Sequence, residues 1–323
     1  MIKATSMNKS SFQIFFIVCD IAFIIIYSLI FHLSRPVIST SVVYVPQGSI
    51  AQIITYLDKK NFNIEPKVDK YMLRLIGNPQ SGWVDIGETK LTRGDFLYKL
   101  SHSKAALKNI TLVPGETVEV FLYEASKEFS LSYEKLLYYF KSMSTYKDGV
   151  FVPETYHIPM GIREKHLIHY LLNYGIDHYK KMSMKIFGEY DEKKWFRYLV
   201  IASIIQKEAF DEKEMSTVSS VIYNRLKKNI PLQMDGTLNY GMYSHVRVTP
   251  QRIKEDKSKY NTYKHRGLPP YPVCSVKNEA IFAAIFPKNT EYLYFVKSPQ
   301  GGHVFSKTYS EHINNINKLK THK

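Results

Sequence analysis

Leu199-Val200-Ile201-Ala202-Ser203-Ile204-Ile205-Gln206-Lys207-Glu208-Ala209 is the stretch on which the reading of this chain turns. Trp195 and Phe196 precede it, so a long apolar segment ends in a carboxylate. The spacing predicts a helix. Counting back three, four and seven residues from Glu208 lands on Ile205, Ile204 and Ile201, so the carboxylate projects from an apolar face. Lys207 points about 100° away from it. A carboxyl group in apolar surroundings resists ionisation and keeps its proton toward neutral pH, as a general acid must. The plainer alternative is a glutamate at a helix end that simply reaches solvent.

Downstream, a helix is expected from Met215 to Lys228, with Met215, Val218, Ile222 and Leu226 as its apolar stripe. Asn224 and Arg225 interrupt that stripe, either as a polar patch facing a site or as ordinary surface. Leu232 to Thr237 reads as extended, which would set Gln233, Asp235 and Thr237 on one side. Tyr260-Asn261-Thr262-Tyr263 and Gly267-Leu268-Pro269-Pro270 read as loop. Strands are expected at 291–296 and after Gly302, with His303 as a structural residue. Upstream, helices are expected at 165–187 and 133–141. Between them Gly149 and Pro153 bar a helix, and Glu154 either lines a site or caps the turn before Tyr156.

The N-terminal third reads as a small α+β module. Val43-Tyr44-Val45-Pro46-Gln47-Gly48-Ser49-Ile50 indicates a strand, a turn and a helix capped by Ser49. Thr111-Leu112-Val113-Pro114-Gly115-Glu116-Thr117-Val118 repeats the pattern weakly. A strand at 82–87 and a helix at 91–100 lie between the copies. Before the module, Pro36 opens an extended linker containing Ser39, Thr40 and Ser41. Before that, residues 12–33 form an apolar run broken by Gln13, Asp20, Ser28 and His32. The run is long enough to span about 30 Å of hydrocarbon as a helix. A single-pass anchor fits better than a cleaved signal peptide, because no A-x-A site follows. A buried helix fits least, because the run is apolar all round. Lys3, Lys9 and the free amine precede the run, and Arg35 follows it; that bias favours an inside N-terminus over residues 1–11.

The 323 residues carry a net charge of +15, with 25 Tyr and 18 Phe. Such charge favours anionic partners, but no nucleic-acid-binding motif accompanies it, so no nucleic-acid partner is expected. The tyrosines suit either a carbohydrate surface or an aromatic core. Cys19 and Cys274 form no disulfide framework, and no metal-ligand spacing of Cys or His occurs, so neither metal nor cofactor is expected.

The order of these segments resembles the MltG (YceG-like) family of endolytic murein transglycosylases. The matching stretches begin with Gly149-x-Phe151-x-Pro153-Glu154-Thr155-Tyr156, Ala202 to Ala209, and Val221-Ile222-Tyr223-Asn224-Arg225-Leu226. Leu232-Gln233-x-Asp235-x-Thr237, Tyr260 to Tyr263, Gly267 to Pro270, Tyr292 to Val296 and Gly302-His303-x-Phe305 complete them. Gly236 stands where the family often has Pro, and Pro272-Val273-Cys274 stands in place of its usual Pro-Gly.

The resemblance implies an α+β protein: a single transmembrane helix at 12–33, a LysM-like module at 42–110 and a mixed α/β catalytic domain at 111–323. It implies Glu208 as the catalytic glutamate, with Gln233, Asp235, Asn261, Tyr263 and Glu154 at the glycan cleft. The implied reaction cleaves the β-1,4 bond between N-acetylmuramic acid and N-acetylglucosamine in nascent strands, leaving a 1,6-anhydro end and terminating elongation. The implied setting is the outer side of the bacterial cytoplasmic membrane. Peptidoglycan strands are the expected partner, and peptidoglycan synthases are candidates. The alternatives are a lysozyme-like muramidase and a non-enzymatic envelope scaffold.

Overall fold

Helix α1 (Lys9–Ser34) is the apolar run; its residues 12–31 are exposed, and it is long and apolar enough to cross a membrane by length and composition. The computed structural model describes residues 9–321, so most of the expected N-terminal segment 1–11, including Lys3, lies outside the described residues. The chain divides into two compact units, residues 1–108 with 159–161, and residues 109–158 with 162–323.

In the first unit, β1 (Pro36–Ile38) follows α1 after Arg35 alone. The linker expected at Pro36 is therefore a strand at its start. The rest of the unit is β2 (Val42–Val45), α2 (Ile50–Lys59), α3 (Pro66–Ile76), β3 (Gly82–Asp85), β4 (Lys90–Thr92) and α4 (Arg93–His102). β1 pairs antiparallel with β4, with Val37 opposite Leu91, and β2 pairs antiparallel with β3, with Val43 opposite Val84. Those four residues are buried with Ile54, Leu57, Leu73, Phe96 and Leu100, so alternation along short strands and the apolar faces of three helices close one core. Ser49 caps α2, as the sequence led us to expect, and Gln52 completes a reciprocal capping box with it.

Where α1 ends, a buried polar knot forms. Asp69 is fully buried; it accepts the Glu65 N–H at 2.7 Å and meets His32 Nε2 at 2.8 Å. The Arg93 guanidinium, 1% exposed, donates to the Asn63 carbonyl at 2.7 Å and lies 3.8 Å from Asp69.

The second unit contains the end of β5 (Leu107–Thr111), then α5 (Val118–Glu128), α6 (Tyr133–Met143), β6 (Thr155–Pro159), α7 (Glu164–Phe187), α8 (Glu192–Glu208) and α9 (Glu212–Lys227). It continues with α10 (Pro250–Glu255), α11 (Asn278–Ile285), β7 (Tyr294–Lys297), β8 (His303–Ser306) and α12 (Tyr309–Thr321). The second strand–turn–helix copy is present too. A positive φ at Gly115 makes its turn, and the Thr117 hydroxyl caps α5 as Ser49 caps α2. α8 lies at the centre, packed against α9 and α11. Its residues Trp195, Leu199, Ile201, Ala202, Ile204 and Ile205 are all buried. β7 and β8 form an antiparallel hairpin, with Tyr294 opposite Ser306.

Asp69→Ala leaves a buried guanidinium and an orphaned helix-start N–H. The expected cost to the first unit is about 3 kcal/mol. Amide exchange should accelerate across α3 and α4 while exchange in the second unit stays unchanged.

Candidate active site

Glu208 is the last residue of α8, and the apolar face behind it, Ile201, Ile204 and Ile205, is fully buried. Its Oε1 accepts the N–H of Gly236 at 2.8 Å. Burial pushes the Glu208 carboxyl up to about 7; the Gly236 N–H opposes that rise and the Asp235 carboxylate adds to it. The partial negative charge at the C-terminus of a helix acts in the same direction as burial. A Cβ on Gly236 would lie 2.5 Å from Lys207 Cβ and 2.9 Å from Glu208 Oε1, so only glycine admits this approach. Proline would also remove the N–H.

The segment facing Glu208 departs from the expected extended form. Gln233 has φ +50°, and Asp235–Leu238 forms a 3-10 turn. Thr237 therefore does not join Gln233 and Asp235 on one side. It is buried, and its hydroxyl donates to the Met234 carbonyl at 2.7 Å. The turn is anchored by Thr262, whose carbonyl accepts the Gln233 N–H and whose hydroxyl accepts the Met234 N–H, both at 3.1 Å. The next residue, Tyr263, donates its phenol to Asp235 Oδ1 at 2.6 Å. Burial and then the Asp235 and Glu208 carboxylates raise the Tyr263 pKa, so the phenol keeps the proton it donates.

Glu208, Gln233, Asp235 and Tyr263 line one groove of about 330 Å³. Two expected cleft residues do not line it. Asn261 is fully buried, and its amide donates to the carbonyls of Ile253 and Asp256, both at 2.8 Å. Its short polar side chain serves the loop's own backbone. Glu154 is exposed and accepts the Thr155 N–H at 3.0 Å, so it is the turn cap that the sequence offered as its other reading. His303 is structural: its Nδ1 meets Glu214 at 2.7 Å.

The far wall of the groove comes from residues not singled out as site residues in the sequence, namely Arg225, Tyr294, Phe295, Tyr309 and His312. Arg225 is 8% exposed and donates to the carbonyls of Leu293 at 2.6 Å, Leu232 at 2.8 Å and Pro231 at 3.2 Å. Its guanidinium also lies over the Tyr294 ring. The break in the α9 stripe is thus the clamp that fixes both sides of the groove. His312 stacks on Tyr294 and has a buried Nδ1 without a hydrogen-bond partner. Burial and the nearby Arg225 lower its pKa, which leaves a neutral imidazole at pH 7. The Tyr309 to His312 spacing on a terminal helix was the available signal. Among the described residues no group of three or more His, Cys, Asp or Glu side chains could hold a metal ion.

The arrangement offers a carboxyl that holds its proton toward neutral pH, a second carboxyl held by a phenol, and a partly aromatic wall. The YceG-like family model matches residues 43–318. An endolytic murein transglycosylase of Bacillus subtilis (strain 168) is 40% identical over 116 residues, which cover 36% of this chain and 32% of that protein. A protein of the same name from Streptococcus pneumoniae (serotype 2, strain D39) is 31% identical over 129 residues, 36% of this chain and 23% of that protein. The match thus spans a third or less of the length of these curated relatives. The crystal structure of a yceG-like protein from Listeria monocytogenes superposes with a TM-score of 0.56 at 23% identity, covering 84% of this chain and 97% of that one. That likeness establishes the fold.

The raised pKa of Glu208 makes a stability prediction. Below pH 4.5 the group is neutral whether folded or not. Between 4.5 and about 7 the unfolded chain releases the proton and the folded protein keeps it, so stability falls as pH rises. Glu208→Gln removes that penalty. It should stabilise the protein at pH 8 by on the order of 2 kcal/mol and leave it unchanged at pH 4. Thermal melts at the two pH values test this.

Proposed function

The chain belongs to the YceG-like family, and on that premise we propose that it is a membrane-anchored endolytic lytic transglycosylase acting on nascent peptidoglycan strands. The observation that carries the reading is the position of Glu208, a carboxyl kept protonated near neutral pH at the head of a groove lined by Asp235, Tyr263 and aromatic rings. Glu208 donates its proton to the glycosidic oxygen between N-acetylmuramic acid and N-acetylglucosamine. The bond from the muramic acid C1 to that oxygen breaks with the proton's arrival, and C1 gains oxocarbenium character. The 6-hydroxyl of the same sugar attacks C1 and passes its proton to the Glu208 carboxylate, which restores the acid. The nucleophile is internal to the substrate, so its orientation costs little. The Gly236 N–H holds the ionised form of Glu208 between the two proton transfers. The Asp235 carboxylate, fixed by Tyr263, faces the developing positive charge.

One observation favours a hydrolytic variant. Asp235 brings a second carboxyl to the groove, as a muramidase that activates water requires. Around the catalytic region we place α1 as a single-pass anchor with its N-terminus inside, and residues 42–110 as a LysM-like module that binds or positions glycan. The catalytic region at 111–323 then works on the outer side of the cytoplasmic membrane, beside newly made strands and within reach of peptidoglycan synthases.

Mass spectrometry of muropeptides after incubation with uncross-linked strands tests the proposal. Wild type should produce 1,6-anhydro ends and Glu208→Gln none. Reducing ends would make the enzyme a hydrolase, and an absence of cleavage in detergent or vesicles would favour a scaffold. The rate should fall as pH rises through about 7, where Glu208 loses its proton. Gly236→Ala, which displaces Glu208, should lower kcat by about tenfold or more with KM little changed.

A further inference from the structure

Arg225 is a buried cation that no carboxylate answers. It is 8% exposed, and among the described residues no ion pair joins it to an Asp or a Glu. Its three bonds to backbone carbonyls leave from Nε and Nη1. Nη2 takes none of them, yet it is not one of the buried side-chain atoms left without a partner, so it keeps access to solvent. Arg225 lines the groove, and that is where the access lies. Enclosing a guanidinium costs free energy that neutral carbonyls offset only in part. Two N–H donors of a charged group therefore face the groove unused. His312 stands beside them. The imidazole stacks on the Tyr294 ring at 5.3 Å between centroids, and the guanidinium carbon lies 5.2 Å from the centroid of the same ring. The His312 Nδ1 is enclosed without a partner, whereas its Nε2 is neither bonded nor enclosed.

The occupant of this wall follows by exclusion. A carboxylate would answer the guanidinium but would share the groove with two carboxyls, Glu208 and Asp235. An ammonium would meet an uncompensated cation. A hydroxyl is neutral but a weaker acceptor than an amide oxygen. An acetamido group suits every part of the wall. Its carbonyl oxygen accepts from Nη2, its amide meets a neutral imidazole in either tautomer, and its methyl group finds the Tyr294 and Phe295 rings. We infer that Arg225 and His312 form a subsite for the 2-acetamido group of a sugar in the groove, and that through it the enzyme rejects strands whose sugars have been N-deacetylated. The inference rests on the reading given under Proposed function and assigns one substituent of that substrate to one wall of the groove. The Asp235 carboxylate would instead attract an amine, so the sign of the discrimination reports which charge governs the 2-position.

The test uses the full-length chain in detergent with Glu208→Gln, so that calorimetry reads binding without cleavage. The probes are uncross-linked strands, the same strands N-deacetylated by a polysaccharide deacetylase, and the deacetylated strands re-acetylated with acetic anhydride. The parent should bind acetylated strands about tenfold or more tightly than deacetylated ones, and re-acetylation should restore the affinity. Arg225 is left in place because it clamps the backbone. The variants are made at His312, with thermal melts to show that each folds. His312→Glu sets a carboxylate beside the guanidinium and should abolish or reverse the preference. His312→Phe keeps the stack on Tyr294, removes the polar nitrogen and should weaken the preference by about threefold. His312→Gln keeps a donor and an acceptor and should retain it. The inference is overturned if the parent binds deacetylated strands as well or better, if it binds none of the probes, or if the preference is the same in the Glu and Phe variants as in the parent. Cleavage by wild type is assayed separately. A wild type that cleaves both kinds of strand alike overturns this inference alone. A wild type that cleaves neither, while its Glu208→Gln form still discriminates, overturns the catalytic reading and leaves the subsite standing.

Discussion

The second unit is organised by a carboxyl group placed where water cannot fully solvate it. Glu208 ends the most buried helix of the unit, and its carboxylate accepts the backbone N–H of Gly236. Burial favours its neutral form. A single N–H, offset by a neighbouring carboxylate, leaves it near the middle of its titration at pH 7. A residue other than glycine at 236 would separate the two, and the left-handed backbone at Gln233 is what turns the segment so that its N–H reaches the helix end. The chemistry therefore depends on loop conformation as much as on the acid.

Much of this was legible in the sequence. The apolar face behind Glu208 could be read because helical periodicity is a property of the sequence itself, and Ile201, Ile204 and Ile205 are buried as that period requires. Ser49 could be read as a cap because its residue type, placed after a turn and before an amphipathic segment, is itself a local signal. The conformation of 232–237 could not be read. A left-handed Gln carries no local signal, and what stabilises it, Thr262, is 29 residues distant. Asn261 and Glu154 show the opposite failure. Their residue types suit a cleft, but both spend their hydrogen bonds on nearby backbone, a use at least as common for short polar or capping side chains.

Arg225 explains why the groove has a far wall. From the sequence it interrupts an apolar stripe. In the fold it is a buried cation that satisfies three carbonyls from two separate segments, 231–232 and 293. No apolar residue could hold those strands of backbone together, since each carbonyl would lose its donor. The same guanidinium lies over Tyr294 and adds to the burial that lowers the His312 pKa, so one side chain sets the shape of that wall and contributes to its charge.

The knot of His32, Asp69 and Arg93 has a mechanical meaning. A flexible linker of n residues lets a domain wander by about 5–6 Å × √n from its tether. Here the apolar helix ends at Ser34, the first strand begins at Pro36, and His32 in the last turn of the helix meets Asp69 of α3 and Arg93 of α4 in partly buried polar contacts. The first unit therefore has no slack. If α1 lies in a bilayer, a tilt of the helix becomes a tilt of the unit by the same angle. The height of that unit above the lipid is then fixed by the length of the helix and the thickness of the membrane, so bilayer thickness itself becomes a setting of the machine.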